Sequence, residues 1–238
     1  MKLPFNGHKV FWIIVVGFIF FSTSYAEEEA FAGKYDLIKT PQPTNDSEKI
    51  EVVELFWYNC PHCFQFEQFL SPWLEKQPSD VEVIFMPAIF NESWGILAKA
   101  YYTAEVLGIL GKTHHALFEA IHVKKRKIKT EQDIQTFFAE YGIKPEEFNR
   151  VYNGFSVDTK TRRANLMTRK YGITGVPALI INGKYRISGS NVTSYGEMVE
   201  VVNHLIQKER EQMALKLKDS VGTPTTASDS FGTPATAN

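Results

Sequence analysis

With 238 residues, 44% of them hydrophobic and 13% aromatic, the chain can build a real core, which excludes disorder for most of its length. Its 26 basic and 27 acidic side chains nearly cancel, so nothing in the charge balance argues for a nucleic-acid partner. It has only two cysteines, which excludes a framework of several disulfide staples.

Residues 1–26 do not read as part of the fold. Lys2, His8 and Lys9 give a positive start, and Phe11 to Phe21 is an apolar run of eleven residues broken only by Gly17. Ser22-Thr-Ser24-Tyr-Ala26 then offers small residues for cleavage after Ala26. This is the three-part pattern of a secretory signal. The run is short for a membrane span, which needs roughly 20 residues; an uncleaved anchor is the alternative. Without Lys2 and Lys9 the mature chain, 27–238, carries 24 basic against 27 acidic residues.

The first plausible strand is Tyr35 to Lys39, followed by a loop marked by Pro41, Pro43, Asn45, Asp46 and Ser47. Ile50 to Tyr58, rich in Val, Phe, Trp and Tyr, predicts a buried strand. Cys60 to Leu74 predicts a helix with Phe66, Phe69, Leu70, Trp73 and Leu74 on one face, kinked or ended by Pro72. Val81, Val83 and Phe85 alternate as a strand stopped by Pro87. From Asn91 to Tyr171 the apolar period is helical throughout. Thr130-x-x-Asp133 and Pro145-Glu-Glu mark helix starts within this block, and the pairs Tyr101-Tyr102 and Phe137-Phe138 read as core. Pro177 to Ile181 and Tyr185 to Ile187 read as a hairpin around a two-residue Asn182-Gly183 turn. Ser194-x-x-Glu197 reads as a capping box opening a last helix with Met198, Val201, Val202 and Leu205 on one face. The tail, 219–238, is two copies of a Ser/Thr/Pro/Gly decamer matching at seven of ten positions, read as disordered.

The predicted architecture is α/β. One mixed sheet is built from 27–90 and 172–218, with 91–171 as an all-helical insertion after the third strand. The two cysteines, Cys60 and Cys63, sit where the second strand passes into a helix. Such a short spacing closes too small a loop to stabilise the chain much by entropy, so the pair reads as chemical rather than structural. Export places it where disulfides persist. At a helix start, free backbone N–H groups and the helix dipole favour a Cys60 thiolate. Pro61 fits the first helical position, where its missing N–H costs nothing. His62, with its ring folded over the sulfur, adds a donor or a positive charge. Only reduced protein contains the thiolate. Once the pKa is below neutrality, each further unit therefore stabilises the reduced form by about 1.4 kcal/mol at pH 7. That raises the potential by about 30 mV. A His between the cysteines thus argues for disulfide donation.

Cys60 is expected at the exposed helix tip, open to substrate thiolate, and Cys63 one turn inward. Glu54, six residues before Cys60 in a buried strand, is costly without a partner. It either tunes the thiols, relays the Cys63 proton, or sits on an edge facing solvent.

Together these residues resemble the DsbA family of periplasmic thiol:disulfide oxidoreductases, of thioredoxin fold with a helical insertion. The resemblance rests on Val53-Glu-Leu-Phe-x-Tyr-x-Cys60-Pro-His-Cys-Phe-x-Phe-Glu67, Ala100-Tyr-Tyr-Thr-Ala-Glu-x-Leu-Gly108 and Gly172-Ile-x-Gly-Val-Pro-Ala-x-x-x-Asn-Gly-Lys184. It runs from about Tyr35 to Lys208. It implies a low-pKa, strongly oxidising cysteine pair, with Cys60 as the attacking and attacked sulfur. It implies a cis Val176-Pro177 peptide facing the disulfide, with the Val176 backbone pairing with an extended substrate chain. It also implies reduced, unfolded exported proteins as clients and a DsbB-like membrane quinone reductase that reoxidises the dithiol. The expected protein is a periplasmic monomer with no cofactor beyond the Cys60-Cys63 disulfide. One departure stands out: family members can carry a basic residue in the third strand near the buried acid, and Val81-Glu-Val-Ile-Phe-Met86 has none.

Other readings are weaker. Cys60, His62 and Cys63 as a copper or zinc site lack a second cysteine pair, and structural zinc wants four ligands. A disulfide isomerase or reductase on the same fold, and a non-enzymatic chaperone, remain alternatives. His114 and His115 read as surface and packing residues, Lys124-Lys-Arg-Lys127 as a solvated loop, and Asn45, Asn91 and Asn191 as turn and cap residues.

Overall fold

In a computed structural model, which describes residues 29–221, the chain forms a five-stranded mixed sheet in the order β1-β5-β4-β2-β3. Residues 1–26, which the sequence reads as a secretory signal, and nearly all of the repeated tail lie outside the described residues. Strand β2 (Ile50–Phe56) is central, parallel to β3 (Val81–Pro87) and antiparallel to β4 (Ala178–Ile181). Strand β5 (Tyr185–Ser188) follows β4, and β1 (Asp36–Leu37) closes the edge. The first strand is shorter than Tyr35–Lys39. It lies at the sheet margin with Leu37 74% exposed, so only one neighbour and little burial hold it.

Every residue of β2 is buried. Alternation sends Ile50 and Val52 into one apolar cluster and Val53 and Leu55 into another across the sheet. The first face is covered by α1 (Pro61–Leu74) and α7 (Tyr195–Val221), through Phe66, Leu70, Met198, Val201 and Leu205. The second is covered by helices inserted between β3 and β4: α2 (Glu92–Val106), α3 (Leu110–His122), α4 (Glu131–Ala139), α5 (Pro145–Tyr152) and α6 (Phe155–Lys170). Tyr101, Tyr102, Phe137 and Phe138 are buried there. Among the described residues no helix is long and apolar enough to cross a membrane.

Most local signals are realised. Thr130 and Asp133 make a reciprocal capping box, and Pro61 and Pro145 sit in the first turns of α1 and α5. Asn91 caps α2 by accepting the Ser93 N–H, and Asn191 accepts the Ser188 N–H. Four details differ. Strand β2 ends at Phe56 because the Cys60 N–H turns back to the Trp57 carbonyl at 2.9 Å. Pro72 does not end α1: it lies exposed in the last turn, and the Trp73 indole N–H, 2.8 Å from Asn203 Oδ1, pins that turn to α7. The Glu197 carboxylate accepts from the Thr193 N–H rather than from Ser194, so the cap is offset by one residue. The Asn182-Gly183 turn has both φ values positive, at 51° and 64°, but the ladder pairs Ile181 with Tyr185, leaving Lys184 as an extra residue. A Cβ at position 183 would meet the Gln42 backbone, which accounts for glycine there.

Candidate active site

The dithiol is placed by the junction of β2 and α1. Cys60 has extended backbone angles and caps the helix; Pro61 opens it. The Trp57 ring, one residue beyond the strand, stacks on Trp94 of α2 at 4.0 Å and fixes the turn against the inserted helices. From the loop that leads into β4, the strand beside β2, the Val176-Pro177 peptide, which is cis, closes over the site, and the Cys60 Sγ donates to the Val176 carbonyl at 3.5 Å. Cys60 is therefore only 8% exposed, more covered than a helix tip alone implies, and Cys63 is fully buried. The covering segment lies 116 residues away in sequence.

The two sulfurs differ sharply. The Cys63 thiol donates to Cys60 and holds the Cys60 pKa down to about 6; the backbone N–H groups of Cys63 and His62 add to this against the opposing effect of burial. Charge on the His62 ring contributes least. Burial pushes the Cys63 thiol well up, followed by the hydrogen bond and charge of Cys60 and the nearby Glu54. Alkylation of Cys60 in reduced protein is accordingly expected to titrate with a midpoint near pH 6. The folded value lies below the free-thiol value of ~8.5. The reduced fold thus gains stability as pH rises from the lower to the higher value, and loses it as pH falls through the lower. Urea titrations of reduced protein at pH 5, 7 and 9 check this; at pH 7 the gain is roughly 1 kcal/mol.

Glu54 sits beneath Cys63, paired in register with Phe85 on β3 and Leu179 on β4. It is buried, which excludes the solvent-facing edge position, and neither carboxyl oxygen has a hydrogen-bond partner among the described residues. Neither strand neighbour is basic, and among the described residues no cation lowers its pKa. Burial, with Glu67 adding like charge, raises its pKa well above the usual carboxylate range. Below it, Glu67 of α1 lies 3.7 Å from His114 Nε2 and 3.9 Å from His115 Nδ1. His114 is held by a 2.8 Å hydrogen bond to the Tyr58 hydroxyl and by the rings of Phe56, Phe85 and Phe118. His122 bonds the Tyr58 carbonyl at 2.8 Å and stacks on Phe64.

Beside the sulfurs runs a groove of about 630 Å³ lined by His62, Phe69, Val176, Pro177, Tyr195 and Met198, among others. Among the described residues the His62 ring makes no hydrogen bond to the Cys60 sulfur, although its charge acts on it. Its Nδ1 is 3.0 Å from the Tyr195 hydroxyl on α7. The ring is drawn to a polar partner that sequence distance concealed.

The structure thus brings Cys60, Pro61, His62, Cys63, Glu54, Val176 and Pro177 to one site. Three contributors went unseen in the sequence: His114, read as packing, together with His122 and Tyr195. The spacing of His114, Phe118 and His122 is a legible clue, since steps of four put all three on one helix face. Tyr195 carries no such signal. Among the described residues no group of three or more His, Cys, Asp or Glu side chains is arranged to hold a metal ion.

An N-terminal Cys-x-x-Cys on the first helix of a thioredoxin-like sheet, facing a cis-Pro loop, defines a thiol:disulfide oxidoreductase. The family model of the DsbA-like thioredoxin domain matches residues 51–194. The thiol:disulfide interchange protein DsbA of Pseudomonas aeruginosa is 35% identical over 198 residues, 83% of this chain and 94% of that protein. That of Azotobacter vinelandii is 37% identical over 177 residues, 74% and 83% of the two chains. Among solved structures, P. aeruginosa DsbA superposes with a TM-score of 0.72 at 37% identity, covering 76% of this chain and 94% of that one. The DsbA oxidoreductase of Xylella fastidiosa does so with 0.70 at 33%, covering 75% and 96%. The chain belongs to the DsbA family.

Proposed function

We propose that this thiol:disulfide oxidoreductase works as a dithiol oxidase in the periplasm, donating its Cys60-Cys63 disulfide to newly exported proteins. The observation that carries the direction is the low Cys60 pKa, about 6. A stabilised thiolate favours the reduced form and makes the disulfide oxidising.

A substrate thiolate attacks the Cys60 Sγ and forms a mixed disulfide. The Cys60–Cys63 bond breaks, and its electron pair leaves on Cys63. That sulfur has a raised pKa and takes up a proton; the buried Glu54 carboxyl, whose pKa burial raises and whose charge acts on Cys63, is the acid assigned to supply it. A second substrate thiolate then attacks the substrate sulfur of the mixed disulfide. Cys60 departs as a thiolate, a good leaving group because its pKa is low. Glu54 recovers its proton when Cys63 is deprotonated again on reoxidation. The enzyme has gained two electrons, which it passes to a DsbB-like membrane quinone reductase. The exposed groove and the Val176 backbone support an extended client chain held largely through main chain and apolar contacts, with little sequence code.

Equilibration against glutathione tests the direction. An oxidase should come to equilibrium far more oxidising than thioredoxin, whose potential is about −270 mV. A value near thioredoxin's replaces this reading by a reductase.

A further inference from the structure

Tyr195 stands at the site with no part yet in the exchange. It opens α7, with its ring against Phe66 and Phe69 at 5.7 and 5.6 Å. Its oxygen is 3.0 Å from His62 Nδ1, and its hydroxyl donates to Gln65 Oε1 at 3.4 Å. With the hydroxyl proton pointing at Gln65, whose amide oxygen only accepts, the tautomer that completes the chain carries its proton on His62 Nδ1 and donates to the Tyr195 oxygen. This chain of bonds takes up a donor that the Cys60 thiolate would otherwise attract.

We propose that Tyr195 is a positioning residue for disulfide exchange: its hydroxyl holds the His62 ring in the groove, away from the Cys60 sulfur, and so moderates the oxidising strength of the pair. The proposal rests on Cys60 being the exchanging sulfur. Thiolate and phenol oxygen compete for one imidazole N–H, and each bond made to Tyr195 is a bond withheld from the thiolate. Among the described residues that line the groove, His62 and Tyr195 are the titratable ones. From α1 the dithiol itself faces them, and Glu54 lies beneath Cys63 on β2. Both sulfurs act on Tyr195: burial, then Cys60 and Cys63, raise its hydroxyl pKa, which places the phenol within Coulomb range of the reacting atoms.

The test is a cycle of four proteins: wild type, Tyr195→Phe, His62→Ala and the double variant. Phenylalanine keeps the ring packing and removes only the oxygen. Two quantities are read on each: the Cys60 pKa from thiolate absorbance, and the equilibrium with glutathione. In Tyr195→Phe the freed imidazole should turn to the sulfur. The Cys60 pKa should then fall by about half a unit, and the equilibrium should move roughly threefold toward reduced protein. In the His62→Ala background the same change should do nothing. An unchanged or raised pKa in Tyr195→Phe, or an equal shift without His62, overturns the proposal. These readouts are differences between variants. A wild-type equilibrium near thioredoxin's would therefore defeat the oxidase reading while leaving this test intact.

Discussion

Serine at position 60 is expected to abolish disulfide transfer, while serine at 63 should convert the protein into a trap. The asymmetry follows from the two environments. The Cys60 thiolate is already formed near neutrality, with a pKa of about 6, and its sulfur sits against Val176, which lines the groove. A serine hydroxyl there is neither ionised nor a disulfide former, so transfer should fall to background. With Cys63→Ser, Cys60 still attacks a client disulfide, and one client sulfur leaves. The resulting mixed disulfide has lost the buried thiol that would expel the client, so it should persist. Non-reducing electrophoresis of protein incubated with a disulfide-containing peptide checks both. Adducts should accumulate with Cys63→Ser, disappear on adding reductant, and be absent with Cys60→Ser. Adducts formed equally by both variants would show that the two sulfurs are equivalent and sink the assignment.

Replacing Glu54 by leucine should stabilise the fold and slow the enzyme at once. The native carboxyl has two buried oxygens without hydrogen-bond partners, in a strand whose other residues are also buried. A buried polar group left without partners costs about 1–3 kcal/mol, and leucine has a similar volume. Glu54→Leu should therefore gain about 1–3 kcal/mol in unfolding free energy at pH 7. The pH dependence identifies the cause. The folded pKa of Glu54 is raised. Its contribution is thus intact below the unfolded value of ~4.3 and is lost as pH rises toward the folded value. The advantage of leucine should grow with pH across that window and be smallest in acid. The cost falls on catalysis. Without an acid beneath Cys63, the departing sulfur has no nearby proton source, and single-turnover reduction of the oxidised protein should slow roughly 100-fold, the lower range for general acid catalysis. A variant less stable at pH 8 than wild type, or one equally fast, contradicts this account. The combination is the usual relation at a functional site, where a local rule of stability is broken because the reaction needs it.

What the sequence makes legible is largely local. A Cys-x-x-Cys between an apolar strand and an amphipathic helix, Pro61 at the helix start, the Thr130–Asp133 cap and the positive-φ turn at Asn182-Gly183 are each set by a few adjacent residues. An apolar, aromatic-rich run locates β2, a period of 2 locates β3, and a period of 3.6 locates the core faces of the helices, because burial enforces those patterns. Where local signals compete, they misplace detail. Pro72 bears a helix-breaking signal, yet the hydrogen bond from Trp73 to Asn203, 130 residues away, carries the helix past it.

The reactivity of the stretch 54–63 divides along the same line. Residues 54–63 by themselves determine that a dithiol is formed and that backbone donors at the helix start favour the Cys60 thiolate. Only the tertiary structure decides how that thiolate is covered and balanced. Val176 closes over it, Glu54 is left buried without a cation, Glu67 faces His114 and His115, and His62 is drawn to Tyr195. The reason is range. Backbone preference and hydrophobic period act within a turn or two, whereas hydrogen bonding, desolvation and Coulomb interaction depend on distances set by how β4, α3 and α7 pack around the first helix.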